Sequence, residues 1–119
     1  MEKSEFSEGF KSMCRAFRIL KEGGVRTLNQ AQLLVEIYSK KPQDRWGDYS
    51  KLMKEIGMSY PSFSNNVVSP LESKKLVYTE KFPKGSPAKI VYLTEIGANL
   101  VERAESFANF GNPSRLSAS

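Results

Sequence analysis

The chain has 119 residues, 39% of them apolar, which suits one compact domain with a modest hydrophobic core. Its 18 Lys and Arg residues outnumber 13 Asp and Glu residues, and the net charge of +5 favours an anionic partner. No run of about 18 apolar residues occurs, so a membrane span is not expected, and the first residues lack the basic-then-apolar order of a secretion signal. The single cysteine, Cys14, excludes an intramolecular disulfide and is typical of a reducing cytoplasm, where we expect it as a buried thiol.

An apolar seam runs along the first predicted helix, which Ser4 could cap and which ends at Gly23 and Gly24. Its members recur at alternating steps of four and three residues: Phe6, Phe10, Met13, Phe17 and Leu20. The seam could pack on its own domain or on a second copy. A small domain rarely has spare core to cover a terminal helix, so residues 1–24 are predicted to be a dimerisation helix.

A second helix is predicted to begin at Thr27 or Asn29 and to end at Lys40–Pro42, because proline cannot continue it. Its apolar stripe comprises Leu28, Ala31, Leu34, Val35 and Tyr38. Residues 43–47 then read as a polar connector that Trp46 anchors to the core.

Two further helices follow with a tight turn between them. Asp48 caps the first, and Gly57 closes it. The second runs from about Tyr60 to Ser73 and buries a stripe of Phe63, Val67 and Leu71. Pro70 lacks the N–H of an interior helical residue, so it should kink or divide this helix.

A β-hairpin and a final helix complete the pattern. Residues 76–82 alternate like a strand, 83–87 form the turn, and 89–93 return. Thr94 caps a helix with one apolar face, predicted over 94–111, and 112–119 form a loose tail. Two helices followed by a β-ribbon predict a mainly α fold with a small β-hairpin (α+β), a winged helix-turn-helix over 25–93.

The order of these elements, together with three phrases, resembles the winged-helix regulators of the MarR and PadR type. Residues 71–77, LESKKLV, are similar to the family phrase LExxGLV, although Lys75 stands at the glycine. Residues 85–97, GSPAKIVYLTEIG, are similar to the PadR-type wing GxPxKxxxLTxxG, and LNQ at 28–30 resembles the MarR-type LTxxQ. The Asp-x-Arg signature of the MarR wing is absent. The resemblance, over roughly 28–102, implies a dimer that reads two DNA half-sites through its winged helices.

Short polar side chains lie opposite the buried stripe of the fourth helix. They both donate and accept hydrogen bonds, as base edges and phosphates require: Ser59, Tyr60, Ser62, Asn65, Asn66 and Ser69. Asparagine can pair with adenine through two hydrogen bonds in the major groove. This helix carries no arginine, so strong reading of guanine is not expected.

The wing is locally basic, with five Lys and one acid, Glu80, between positions 74 and 89. The residues expected on the DNA backbone are Lys51, Lys81, Lys84, Gly85, Ser86 and Lys89. Lysine is a point charge, so these contacts should position the protein rather than specify a sequence. The alternative is an edge strand kept soluble by its lysines.

These features predict a DNA-binding homodimer, most simply a site-specific transcriptional repressor associated with the nucleoid. The dimer interface is predicted from the seam and the final helix: Phe6, Phe10, Met13, Phe17, Leu20, Leu100 and Phe107. An architectural or plasmid-partition adaptor that spreads on DNA and recruits a protein partner is an alternative, as is a winged helix that binds only protein. No cofactor, metal or enzymatic activity is expected, since the chain has no histidine, no Cys/His metal spacing and no P-loop.

Overall fold

A computed structural model describes residues 2–40, 44–81, 83 and 88–108, with side chains described from residue 8 onward. Its elements in chain order are α1 (Glu2–Glu22), α2 (Leu28–Tyr38), β1 (Trp46–Asp48), α3 (Tyr49–Ile56), α4 (Tyr60–Phe63), a π-helical turn (Ser64–Val68), α5 (Ser69–Ser73), β2 (Val77–Lys81), β3 (Lys89–Leu93) and α6 (Glu95–Ala108). The three consecutive pieces over 60–73 are called the divided helix below. The predicted α+β winged helix-turn-helix is confirmed.

The sheet has three strands in the order β1-β3-β2, one more than the predicted hairpin. The stretch predicted as a connector contains β1, which pairs antiparallel with β3 and sets Trp46 opposite Tyr92. Tyr78 lies opposite Tyr92 on the other side, with the two rings stacked at 4.8 Å. Trp46 is 41% exposed in this aromatic row, so the prediction that it anchors to the core is wrong. Gly47 takes the inward position instead, where a Cβ would lie 2.8 Å from Leu52 Cδ1.

Local capping chemistry fixes most helix ends. Thr27 Oγ1 accepts a hydrogen bond from Gln30 N at 3.1 Å, and Asp48 Oδ1 accepts one from Lys51 N at 3.0 Å. Gly57 closes α3 with φ of 80°, as predicted. Two predicted boundaries are wrong: α1 begins at Glu2 and so contains Ser4, and α2 ends at Tyr38 before the lysine pair.

The core lies between α2, the divided helix, the inner face of the sheet and α6. Its largest fully buried side chains are Phe63, Leu33, Leu34, Ile37, Leu71, Leu76, Val67, Val77 and Val91. Leu20 and Leu100 are also buried within this single chain. Leu100 packs against Gly23 at the end of α1, where a Cβ would meet its side chain. The prediction that these two leucines form a dimer interface is therefore corrected, because each is covered by its own protomer.

Lys75 closes the divided helix in the left-handed conformation, with φ of 63°, although it is not glycine. The N–H of Lys75 donates to the carbonyl of Glu72 at 2.9 Å, and the N–H of Leu76 donates to Leu71 at 3.0 Å. This six-to-one closure satisfies the last carbonyls of the helix. Lys75 therefore adopts the left-handed backbone conformation at the position where the family phrase LExxGLV has glycine.

Lys75→Gly is expected to raise the free energy of unfolding by about 0.5–1 kcal/mol. A side chain in the left-handed region costs about 1–2 kcal/mol, of which the larger chain entropy of glycine cancels a part. Urea denaturation would measure the change. Lys74→Gly is the matched control, since Lys74 has φ of −95° and gains nothing from glycine. Equal destabilisation by both substitutions would contradict the strain at Lys75.

Candidate nucleic-acid interface

Pro70 shapes the divided helix. It has no N–H to donate to the carbonyl of Asn66, four residues earlier. The chain accommodates this with a π-helical turn in which Ser69 N donates to Ser64 O, five residues back. The prediction that proline divides the helix is confirmed, and the division takes the form of an extra residue in one turn. The turn contains Asn65 and Asn66.

The two faces of the divided helix differ as predicted. Phe63, Val67 and Leu71 are fully buried. The opposite face is exposed at Ser59, Tyr60, Asn65, Asn66 and Ser69, and half-buried at Ser62. The interior of the domain thus fixes which side chains the helix presents. Their contact with bases remains a prediction.

Lys89, at the start of β3, connects the wing to the divided helix. Its Nζ donates to the Tyr60 hydroxyl at 3.2 Å and lies 5.3 Å from the centroid of the Tyr49 ring. The hydrogen bond to Tyr60 raises the pKa of Lys89 and outweighs the lowering by burial, so the ammonium is charged at neutral pH. The cation is held beside the polar face and keeps donors for a phosphate. Tyr49 was not identified from the sequence, because its role depends on a contact across the fold.

The rest of the predicted wing site is described in part. Lys81 is exposed and lies opposite Lys89 in the β2–β3 ladder, so the two lysines share one end of the wing. Lys51 is exposed on α3. The predicted contacts Lys84, Gly85 and Ser86 lie outside the described residues.

An open groove of about 510 Å³ separates the start of α2 from the divided helix. Asn65 and Asn66 line one side, and Arg26, Thr27 and Asn29 line the other. Arg26 is exposed and adds a cation that the sequence analysis did not assign to the site. In the sequence, Arg26 directly precedes Thr27, the N-cap of α2, and this position could have indicated that its cation lies beside the groove.

The apolar seam is exposed over most of its described length, and Leu20 is its buried member. Phe10 is 58% and Met13 53% exposed, and Phe17 and Phe107 are exposed as well. The side chain of Phe6 lies outside the described residues. Cys14 is exposed on the same helix, so the predicted burial of its thiol is wrong.

The described residues contain neither a cluster of possible metal ligands nor a helix suited to cross a membrane. Among them, no three His, Cys, Asp or Glu side chains come together as possible metal ligands. None of the described helices combines the length and the apolar character that a membrane crossing requires.

Comparison with known proteins identifies the architecture. No protein-family model matches the sequence, and no curated protein matches it. Among solved structures, the complex of S. aureus MepR with DNA superposes with a TM-score of 0.72 at 24% identity, covering 95% of this chain and 87% of that one.

Two further structures have the same architecture. NadR in complex with 4-hydroxyphenylacetate gives a TM-score of 0.65 at 19% identity, covering 91% of this chain and 70% of that one. AbsC, a MarR family transcriptional regulator from Streptomyces coelicolor, gives 0.64 at 15% identity, covering 95% and 76%. The resemblance to MarR-type winged-helix regulators is therefore confirmed for the fold.

Proposed function

We propose that this chain is a homodimeric transcription regulator that binds double-stranded DNA. One observation carries the proposal: the exposed face of the divided helix presents Asn65 and Asn66 between two cations, Lys89 on the wing and Arg26 before α2. The fold shared with MepR, which was solved as a DNA complex, supports the same conclusion. The proposal makes the chain a binding protein rather than an enzyme.

The roles divide by chemistry. Asn65 and Asn66 donate and accept through one planar group, and such a group pairs with the N6 and N7 edge of adenine in the major groove. Arg26, Lys81 and Lys89 supply the positive charge that phosphates attract, and they set the orientation of the helix. The wing then lies along the backbone and the adjacent minor groove. Preference for a sequence comes from the amides, and most of the affinity comes from released counterions.

A dimer would allow the protein to contact two half-sites of one DNA site. A two-fold dimer places two recognition elements about one helical turn, roughly 34–36 Å, apart. The exposed seam on α1 and the exposed Phe107 on α6 supply a surface for that contact. A dimer occupying such a site inside a promoter would exclude polymerase, which is the simplest mode of repression.

Selection of bound fragments from random and genomic DNA, followed by footprinting, tests the proposal. We expect one discrete palindromic site and an affinity that falls steeply with salt. Protection that spreads into neighbouring DNA would instead support the adaptor that coats a site. Absence of DNA binding at low salt would overturn the proposal and leave a winged helix that binds protein.

Asn65→Ala and Asn66→Ala are expected to weaken binding to the selected site by about 1–3 kcal/mol each, roughly 5- to 150-fold. Affinity for random DNA should change little, because the lost hydrogen bonds go to bases. Fluorescence anisotropy with the two DNAs measures both quantities. Asn99→Ala, an exposed asparagine on α6, is the matched control. Equal losses on both DNAs would show that these amides do not read bases.

A further inference from the structure

The carbonyl of Asn66 receives a hydrogen bond from another helix. Gln30 Nε2 donates to Asn66 O at 2.9 Å, across 36 residues of sequence. An α-helix would supply this carbonyl with the N–H of the residue four positions on, but that residue is Pro70. A side chain of α2 therefore donates to a carbonyl for which Pro70 offers no N–H.

The other end of the Gln30 amide is held as well. Its Oε1 accepts from Arg26 N at 2.7 Å, and its side chain is 97% buried, with 3% of its surface exposed. A buried amide with both ends bonded has one orientation, because rotating it would leave polar atoms unpaired at a cost of about 1–3 kcal/mol. Gln30 thus links the backbone just before α2, at Arg26, to the backbone carbonyl of Asn66.

The π-helical turn decides where those asparagines point. Successive residues of a π-helical turn are rotated about the helix axis by a smaller angle than in a regular α-helix, so the side chains within the turn point in different directions. Asn65 and Asn66 lie within this turn, while Phe63 before it and Leu71 after it are fully buried. The buried residues hold the two ends, so the geometry of the turn sets the direction of the amides between them.

We propose that Gln30 is a positioning residue for base reading. By holding the carbonyl of Asn66 it maintains the π-helical turn that aims Asn65 and Asn66 at the DNA, and it touches no base itself. This inference rests on the proposed function, because it concerns how that same face discriminates between sequences.

Two substitutions separate positioning from stability. Gln30→Met keeps the volume and removes both hydrogen bonds, so unfolding temperature and sequence discrimination should both fall. Pro70→Ala restores an N–H for Asn66 and removes a helix-interior proline, which raises stability. The carbonyl of Asn66 then has a backbone donor that competes with Gln30, so the turn between the buried Phe63 and Leu71 should tighten locally and misdirect the asparagines. If this variant is more stable but discriminates less between DNA sequences, the turn has a role in base reading that an effect on stability alone does not explain.

The measured quantity is the ratio of affinities for the selected site and for random DNA, taken well below the unfolding temperature of each variant. In both variants the ratio should fall about tenfold or more, as expected for a misplaced pair of base hydrogen bonds. Gln32→Met makes the same change at an exposed position of α2 and should leave the ratio unchanged.

Two different failures are distinguishable. If the wild type shows no preference among DNA sequences, the proposed function fails. If the wild type discriminates but Gln30→Met and Pro70→Ala keep its ratio within about twofold, only the positioning role is overturned.

Discussion

Replacing Phe10 with aspartate is expected to leave a folded monomer whose affinity for its DNA site is about 10²–10⁴-fold lower. Phe10 is 58% exposed, so the substitution places little strain on the protomer core. In the proposed dimer the same position is covered by a second copy, and a carboxylate buried there without a partner is strongly unfavourable. Loss of the dimer removes the second half-site contact, which is the origin of the large decrease.

The distribution of apolar side chains on α1 supports this expectation. One face, with Ala16 and Leu20, is buried within the chain. The neighbouring face, with Phe10, Met13 and Phe17, is exposed along three successive turns. Single exposed apolar residues are ordinary, but a continuous patch of large ones usually marks an interaction surface. A second copy is the occupant that the proposed reading of two half-sites requires.

Sedimentation velocity over a range of concentrations, with anisotropy on the selected site, checks the outcome. Arg15→Gln is the matched control, because it lowers the net charge by one unit at an exposed position of α1, as Phe10→Asp does. Met13→Asp, one turn further along the seam, should behave like Phe10→Asp. If Phe10→Asp still sediments as a dimer, the seam is not the subunit interface.

Helix boundaries could be predicted where one side chain decides them. Thr27, Asp48 and Thr94 each accept a hydrogen bond from the backbone N–H three residues ahead, and each cap is present. The buried stripe of the divided helix could also be predicted, because the helical period of 3.6 residues can be recognised within a short stretch of sequence. The polar face that we propose for base reading follows from that stripe alone.

The features that could not be predicted depend on distant partners. Strand β1 has only three residues, and its pairing with β3 crosses more than 40 positions of sequence. Leu20 and Phe17 belong to one sequence pattern, yet the first is buried and the second is exposed. The bond from Gln30 to Asn66 spans two helices in the same way. Periodicity identifies an apolar stripe but does not say which neighbour covers each member.

Gly97→Ala is expected to destabilise the fold by about 1–3 kcal/mol, a fall of roughly 5–15 °C in Tm. Gly97 lies in the first turn of α6, pressed against the start of β2. A Cβ there would overlap the carbonyl oxygen of Leu76 and approach Leu93 Cδ1 to 2.8 Å. Backbone cannot change rotamer, so α6 itself would have to shift.

That shift would break a junction of hydrogen bonds. Thr94 N donates to the carbonyl of Leu76 at 3.1 Å, and Thr94 Oγ1 caps α6 by accepting from Gly97 N at 3.0 Å. Gly9→Ala on α1 is the control, since a Cβ there meets nothing within 4 Å and should stabilise the helix by about 0.5–1 kcal/mol. Replacing glycine with alanine is thus expected to lower the stability at Gly97 and to raise it at Gly9. An unchanged Tm for Gly97→Ala would show that α6 is free to move away from the wing, and with it that the wing is not held rigidly on the core.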